Sequence, residues 1–196
     1  MKKYSLGESK QFDGRTLYRV VALKNFGDVS IGDIGGWVES ESNLAQDGNS
    51  WVYDEAQVYG DAQVYDNAQV YYNAWVYDNA LVYGNARVYD NANVYGKAII
   101  RDRAQVFYNA RVYDNANVYG NALVYGSARV YNNANVYGYA CVSGNSRIYD
   151  NALVYENALI YERAHVCENS RVSGKAHVYG AAHVYGSAWL GDDSQI

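Results

Sequence analysis

Three arginines, Arg111, Arg129 and Arg147, stand 18 residues apart, and each is followed two positions later by a tyrosine, Tyr113, Tyr131 and Tyr149. Guanidiniums grip phosphate or carboxylate through forked hydrogen bonds, and tyrosine faces can stack on bases or sugars. If the fold sets residues 18 apart side by side, these six side chains form an anion-binding strip. The plainer reading is a solvated face on which Asp114, Asp150, Glu156, Glu162 and Glu168 pair with the arginines. The same spacing runs on to His165 and His183, with Cys167 two positions after His165. Imidazole and thiolate are zinc ligands, so His165, Cys167 and His183 are the candidate metal set, against the alternative of solvated or ring-stacked histidines.

What would position such a column is a repeat. From Val52 to Leu190 an aliphatic residue recurs at every sixth position, through 24 units without an insertion. Two positions before each aliphatic stands alanine, replaced by serine only at Ser50, Ser146, Ser170 and Ser194. A period of six drifts around a helix of 3.6 residues per turn, and Val, Tyr and Asn are poor helix formers. In x-Val-Tyr, strand alternation turns valine to one side and both neighbours to the other. The Asp-Asn or Gly-Asn pair that follows is corner chemistry, because Gly, Asn and Asp enter left-handed backbone conformations most readily. Each hexapeptide is therefore one short strand plus one corner.

The segment Val112-Tyr113-Asp114-Asn115-Ala116 resembles the hexapeptide repeat of left-handed parallel β-helices. The stricter Asn-Ala-x-Val-Tyr wording, with the leader Gly35-Gly36-Trp37-Val38-Glu39-Ser40-Glu41, resembles the YdcK family of bacterial and prophage proteins, often labelled acyltransferases. That resemblance implies an all-β, single-stranded left-handed parallel β-helix with 18 residues per coil. The 24 units would make about eight coils over residues 50–196, behind an N-terminal β cap of residues 1–49 whose strand is Thr16–Leu23. Recurrence of Ala-Arg-Val-Tyr at 110 and 128 supports that coil length. Asp54, Asp66, Asp78, Asp90, Asp102 and Asp114 recur at 12, which keeps a two-sided solenoid of 12 residues per coil as the alternative.

The resemblance also implies hexapeptide acyltransferase chemistry, with a coenzyme A thioester as cofactor and His177 or His183 as the general base. Such enzymes shape their pockets with excursion loops, and no excursion interrupts the 24 units here. The leading expectation is thus a non-catalytic, cofactor-free scaffold that self-associates and offers tyrosine-rich faces to a protein partner or an anionic small molecule. A phage accessory protein binding a nucleotide or nucleic acid on the arginine strip is the other alternative. Leu81, Ile99 and Leu153 share one predicted column and would serve self-association.

Global composition narrows these classes. A net charge of −5 and a pI near 5.1 exclude a generically basic nucleic-acid binder and leave only a local patch. Lys2 and Lys3 are followed by no apolar run of signal or transmembrane length, which implies a cytoplasmic protein without membrane partners. Cys141 and Cys167 are too few for a disulfide framework and read as free thiols.

Overall fold

In the computed structural model, which describes residues 2–196, the chain is a three-faced parallel β-solenoid of about nine turns with 18 residues in each. Each hexapeptide supplies a two-residue rung, such as Arg111–Val112, that pairs in parallel with the rung 18 residues on. Residues 12 apart lie on different faces, which excludes the two-sided alternative.

The rungs are short because the chain must turn 120° once in every six residues to close a triangle. The sixth-position aliphatics and the alanines two positions before them point inward and are fully buried from Val52 to Val178, forming one continuous core. Each buried valine contributes about 1.5–3 kcal/mol, so stability accumulates coil by coil. Alanine fits where the corner closes: the Ala116 amide donates to the Tyr113 carbonyl at 3.3 Å across the turn. Serine can replace alanine there because its hydroxyl reaches the same carbonyl, as Ser146 does to Ser143 at 2.7 Å and Ser170 to Cys167 at 2.6 Å.

The residue after each tyrosine adopts left-handed backbone geometry, for example Asp114 at φ 57° and Gly96 at φ 69°. Here the spacing of 12 finds its cause. On a coil of 18, an acid at every twelfth position occupies each corner in alternate coils, so carboxylates are not stacked on one another. Each carboxylate accepts the backbone N–H of the corner one coil on: Asp66 from Gly84 at 3.1 Å, Asp78 from Gly96 at 3.2 Å, Asp102 from Gly120 at 3.0 Å. Beside these, Asn115, Asn133, Asn151 and Asn169 form a side-chain amide ladder with steps of 3.3 Å. Tyr72 and Tyr108 also take left-handed geometry, at φ 59° and 55°, with their rings against Tyr71 and Phe107.

The N-terminal segment seals the first coil. Strand β1 (Tyr4–Phe12) and strand β2 (Arg15–Ala22) form a hairpin around Asp13-Gly14, both at positive φ. Strand β3 (Ile34–Val38) pairs antiparallel with β2 and parallel with the Gln57–Val58 rung, converting hairpin into solenoid. Parallel stacking therefore begins inside residues 1–49: Trp37–Val38 and the Leu44 bridge to Val64 add a partial coil to the eight counted from the repeat. Gly36 occupies the alanine position of that coil, where a Cβ would lie 2.6 Å from the Ala56 carbonyl. Lys3 is fully buried under this cap, donating to the carbonyls of Asp47 and Ser50 at 3.1 and 2.9 Å; burial lowers its pKa to about 8.

Outward tyrosines stack along each face with centroid steps near 5 Å, for example Tyr71–Tyr89 at 4.9 Å and Tyr77–Tyr95 at 4.9 Å. Burial is the first cause that raises their pKa values, with Tyr77 and Tyr89 both pushed up to about 12.

Two predictions follow from this packing. Val112→Ala should lower stability by about 2 kcal/mol by opening the core, and Gly96→Ala by about 1–2 kcal/mol by straining a left-handed corner; urea unfolding midpoints of the two variants measure both. The second prediction concerns alkaline pH. Because the folded state holds phenol protons more tightly than the unfolded chain, the tyrosine contribution is complete below pH 10 and is lost as pH rises toward 12. Lys3 acts oppositely between pH 8 and 10.5, but as one residue against many. Urea midpoints should therefore fall above pH 10, in step with phenolate absorbance; midpoints that stay level through that window reject the ladder as a source of stability.

Candidate anion-binding face

Parallel register sets one outward column on the first face in the order Trp37, Gln57, Trp75, Asn93, Arg111, Arg129, Arg147, His165, His183. The three arginines are consecutive and solvent-exposed, and adjacent coils lie about 4.8 Å apart. Their tyrosines form the next column: Tyr113 stacks on Tyr131 at 4.9 Å and 1°, and Tyr131 on Tyr149 at 5.1 Å and 6°. The six residues singled out from spacing thus do come together.

Two details differ from expectation. The acids do not pair with the arginines: among the described residues no carboxylate lies within ion-pair distance of Arg111, Arg129 or Arg147. Instead Asp114, Asp150, Glu156, Glu162 and Glu168 accept the corner amides of Asn132, Glu168, Gly174, Gly180 and Gly186. Across the face the order is arginine, tyrosine, then acid, so the ring ladder stands between the two charges. Like charges stacked this closely repel, and solvent and salt relieve only part of that. The second correction is that the ladder rings cover one another's faces. Base or sugar stacking on Tyr113 or Tyr131 would have to break ring contacts, so the ladder offers outward edges and hydroxyls. Burial raises the pKa of Tyr95, Tyr113 and Tyr131, and Tyr149 is pushed up to about 12, first by its contact with the Cys167 thiol and then by burial. The phenols are therefore protonated at neutral pH, which leaves their hydroxyls able to donate hydrogen bonds to a ligand beside the guanidiniums.

The metal trio does not assemble. The rings of His165 and His183 lie 4.5 Å apart, tilted by 33°, but Cys167 is buried with its thiol directed at the Val184 carbonyl, 3.7 Å away. Among the described residues no group of three His, Cys, Asp or Glu side chains is placed to hold a metal ion. Burial, His183 and Arg147, in that order, lower the pKa of His165 and favour its neutral form. His177 lies on the second face, edge-on to Tyr161, whereas His183 lies on the first, so the two candidate bases are not neighbours. Cys141 and Cys167 are free thiols, and Cys141 donates to the Tyr125 hydroxyl at 3.6 Å. No helix among the described residues is long and apolar enough to cross a membrane.

Gln57, Trp75 and Asn93 keep the spacing of 18, and only the first residue of the column, Trp37, escapes a reading of the repeat alone. Two extra residues between Leu44 and Val52 break the period, so Trp37 falls out of phase in sequence while aligned with Gln57 in space. Trp37 anchors a charged cluster: its indole donates to Glu55 at 2.9 Å, Lys10 and Arg19 cover its ring at 4.1 and 4.2 Å, and Arg19 pairs with Glu55. The Gly36-Trp37-Val38 triplet, a repeat with glycine in place of alanine, is the signal that could have located it.

The YdcK β-solenoid repeat family matches this chain at residues 56–72, 116–132 and 146–162. YdcK of Escherichia coli (strain K12), named an uncharacterized acetyltransferase, is 42% identical over 64 residues, which cover 28% of this chain. The chain spans 20% of that relative's length. Repeat wording, coil length and these matches agree: the chain is a YdcK-like β-solenoid protein.

Proposed function

We propose that this protein is a non-catalytic, rigid scaffold that binds an extended anionic ligand along Arg111, Arg129 and Arg147 and associates with further copies of itself through its apolar columns. The observation that carries this reading is the stack of three exposed guanidiniums whose nearest acids are committed to backbone amides. An anion laid along the column relieves the repulsion between arginines, and the Tyr113, Tyr131 and Tyr149 hydroxyls supply a second row of donors. Solenoid rigidity keeps the donors at fixed spacing, so little conformational freedom is lost on binding. Leu81, Ile99 and Leu153 stand in one column of the third face and are the surface assigned to self-association.

The relative's acetyltransferase name motivates the one enzymatic alternative, an acyl-CoA-dependent transferase using His177 or His183. Those imidazoles sit on separate faces with no carboxylate in ion-pair distance among the described residues, which favours the binding reading.

Binding of inorganic polyphosphate, followed by calorimetry over a range of salt, tests the strip. Neutralising it as Arg111→Gln/Arg129→Gln/Arg147→Gln should weaken binding strongly and reduce the salt slope by roughly two, taking about 0.7 for each of three contacts. Unchanged affinity and slope in the triple variant reject the strip. Acetyl-CoA-dependent transfer that disappears in His177→Ala or His183→Ala would instead establish the enzyme.

A further inference from the structure

Upstream of the arginines the same column changes character. The tip of the β1–β2 hairpin bends over it, with Phe12 edge-on to Trp75 at 5.4 Å and beside Tyr59 at 5.8 Å. Next to this overhang lies a groove of about 530 Å³ lined by Glu55, Gln57, Asn73, Trp75, Asn93 and Arg111. Gln57 is only 7% exposed, and its Oε1 has no hydrogen-bond partner among the described residues. Buried acceptors of this kind are nearly always paired, and leaving one unmade is unfavourable. The groove, which Asn91 also lines, thus combines an indole, four amides, a carboxylate and one guanidinium shared with the strip.

This set selects among anions. Glu55 is already held by Trp37 and Arg19, but the Gln57 oxygen lacks a hydrogen-bond donor, which a polyphosphate chain at neutral pH cannot give and a sugar ring supplies through its hydroxyls. Trp75 offers an apolar surface to the C–H face of a pyranose, while the amides of Asn73 and Asn93 both give and accept hydrogen bonds. Nucleic acid fits less well, because bases need a series of free aromatic faces and the tyrosine rings downstream cover one another. Stacked strands lie about 4.8 Å apart, a step of the same order as the length of one pyranose ring. A chain entering at Trp75 would therefore meet Asn93 and then the arginines one coil at a time.

We infer that the groove at Gln57 and Trp75 is a sugar-ring subsite, and that the ligand of the strip is an acidic glycan carrying carboxylates on its sugar units. This inference rests on the anion-strip reading and narrows it to a ligand class.

The test compares two probes, oligogalacturonate and inorganic polyphosphate, on the full chain. Wild-type protein should bind both. Trp75→Ala should weaken oligogalacturonate binding by about tenfold or more, the equivalent of losing one aromatic stacking contact, and leave polyphosphate binding within about twofold. Asn93→Ala, which leaves the Phe12–Trp75 contact in place, should act in the same direction, and thermal melts verify that both variants fold. If either folded variant retains full oligogalacturonate affinity, or loses both probes equally, the sugar subsite is rejected while the strip stands. If wild-type protein binds polyphosphate but not oligogalacturonate, the glycan assignment falls. Wild-type protein that binds neither probe overturns the strip itself. Tighter, Trp75-dependent binding of a single-stranded oligonucleotide would replace the glycan with nucleic acid.

Discussion

Closure of an 18-residue coil through three left-handed corners is the constraint from which the other features descend. Corner residues must tolerate positive φ, which restricts them to Gly, Asp, Asn and a few Glu and Tyr exceptions. The corner amides exposed by that geometry need acceptors, which the acids provide one coil away. Inward positions admit only a β-branched or γ-branched aliphatic and a small residue, because the three faces of each coil converge on a narrow axis. Once these positions are committed, four of the six residues in a unit are structural. Chemical variety is left to the residue before each valine and, less freely, to the tyrosine after it.

That division explains what could be read in advance. The Val and Ala periods predict the strands, and recurrence of Ala110-Arg111-Val112-Tyr113 at 128 predicts the coil length that the parallel register shows. The column of Arg111, Arg129 and Arg147 followed directly, since stacked rungs carry outward residues into line. Side-chain direction at the corners was not legible. Asp114 and Arg111 are near neighbours in sequence and opposite in charge, yet the carboxylate satisfies a backbone donor that only the coiled structure presents. Ring stacking likewise emerges from the fold: nothing in the spelling of Tyr113 and Tyr131 reveals that their faces are occupied by each other. Cys167, expected on the surface, is buried because the Val184 carbonyl of the adjoining coil lies over it.

The N-terminal segment was harder for a different reason. Its hairpin is ordinary antiparallel structure, held by strand alternation and an Asp-Gly turn. The first coil beneath it is a repeat with glycine for alanine and two extra residues, so its phase is lost to any search for a strict period. Trp37 and Gln57 consequently look unrelated in sequence, although the fold makes them neighbours. Contacts between a cap and a repeat array depend on tertiary placement, and the groove beneath Phe12 arises from such contacts.

The unbroken hexapeptide count also sets the arithmetic of change along the chain. Removing or adding one unit would turn everything downstream by a third of a revolution, carrying arginines from the first face onto a neighbour and splitting every tyrosine ladder at the junction. Length can vary without scrambling the columns only in steps of 18 residues, a whole coil at a time. The molecule is in this sense a screw whose thread indexes three separate surfaces at once, and a single phase, carried from Val52 to Leu190 without a slip, keeps all three in alignment.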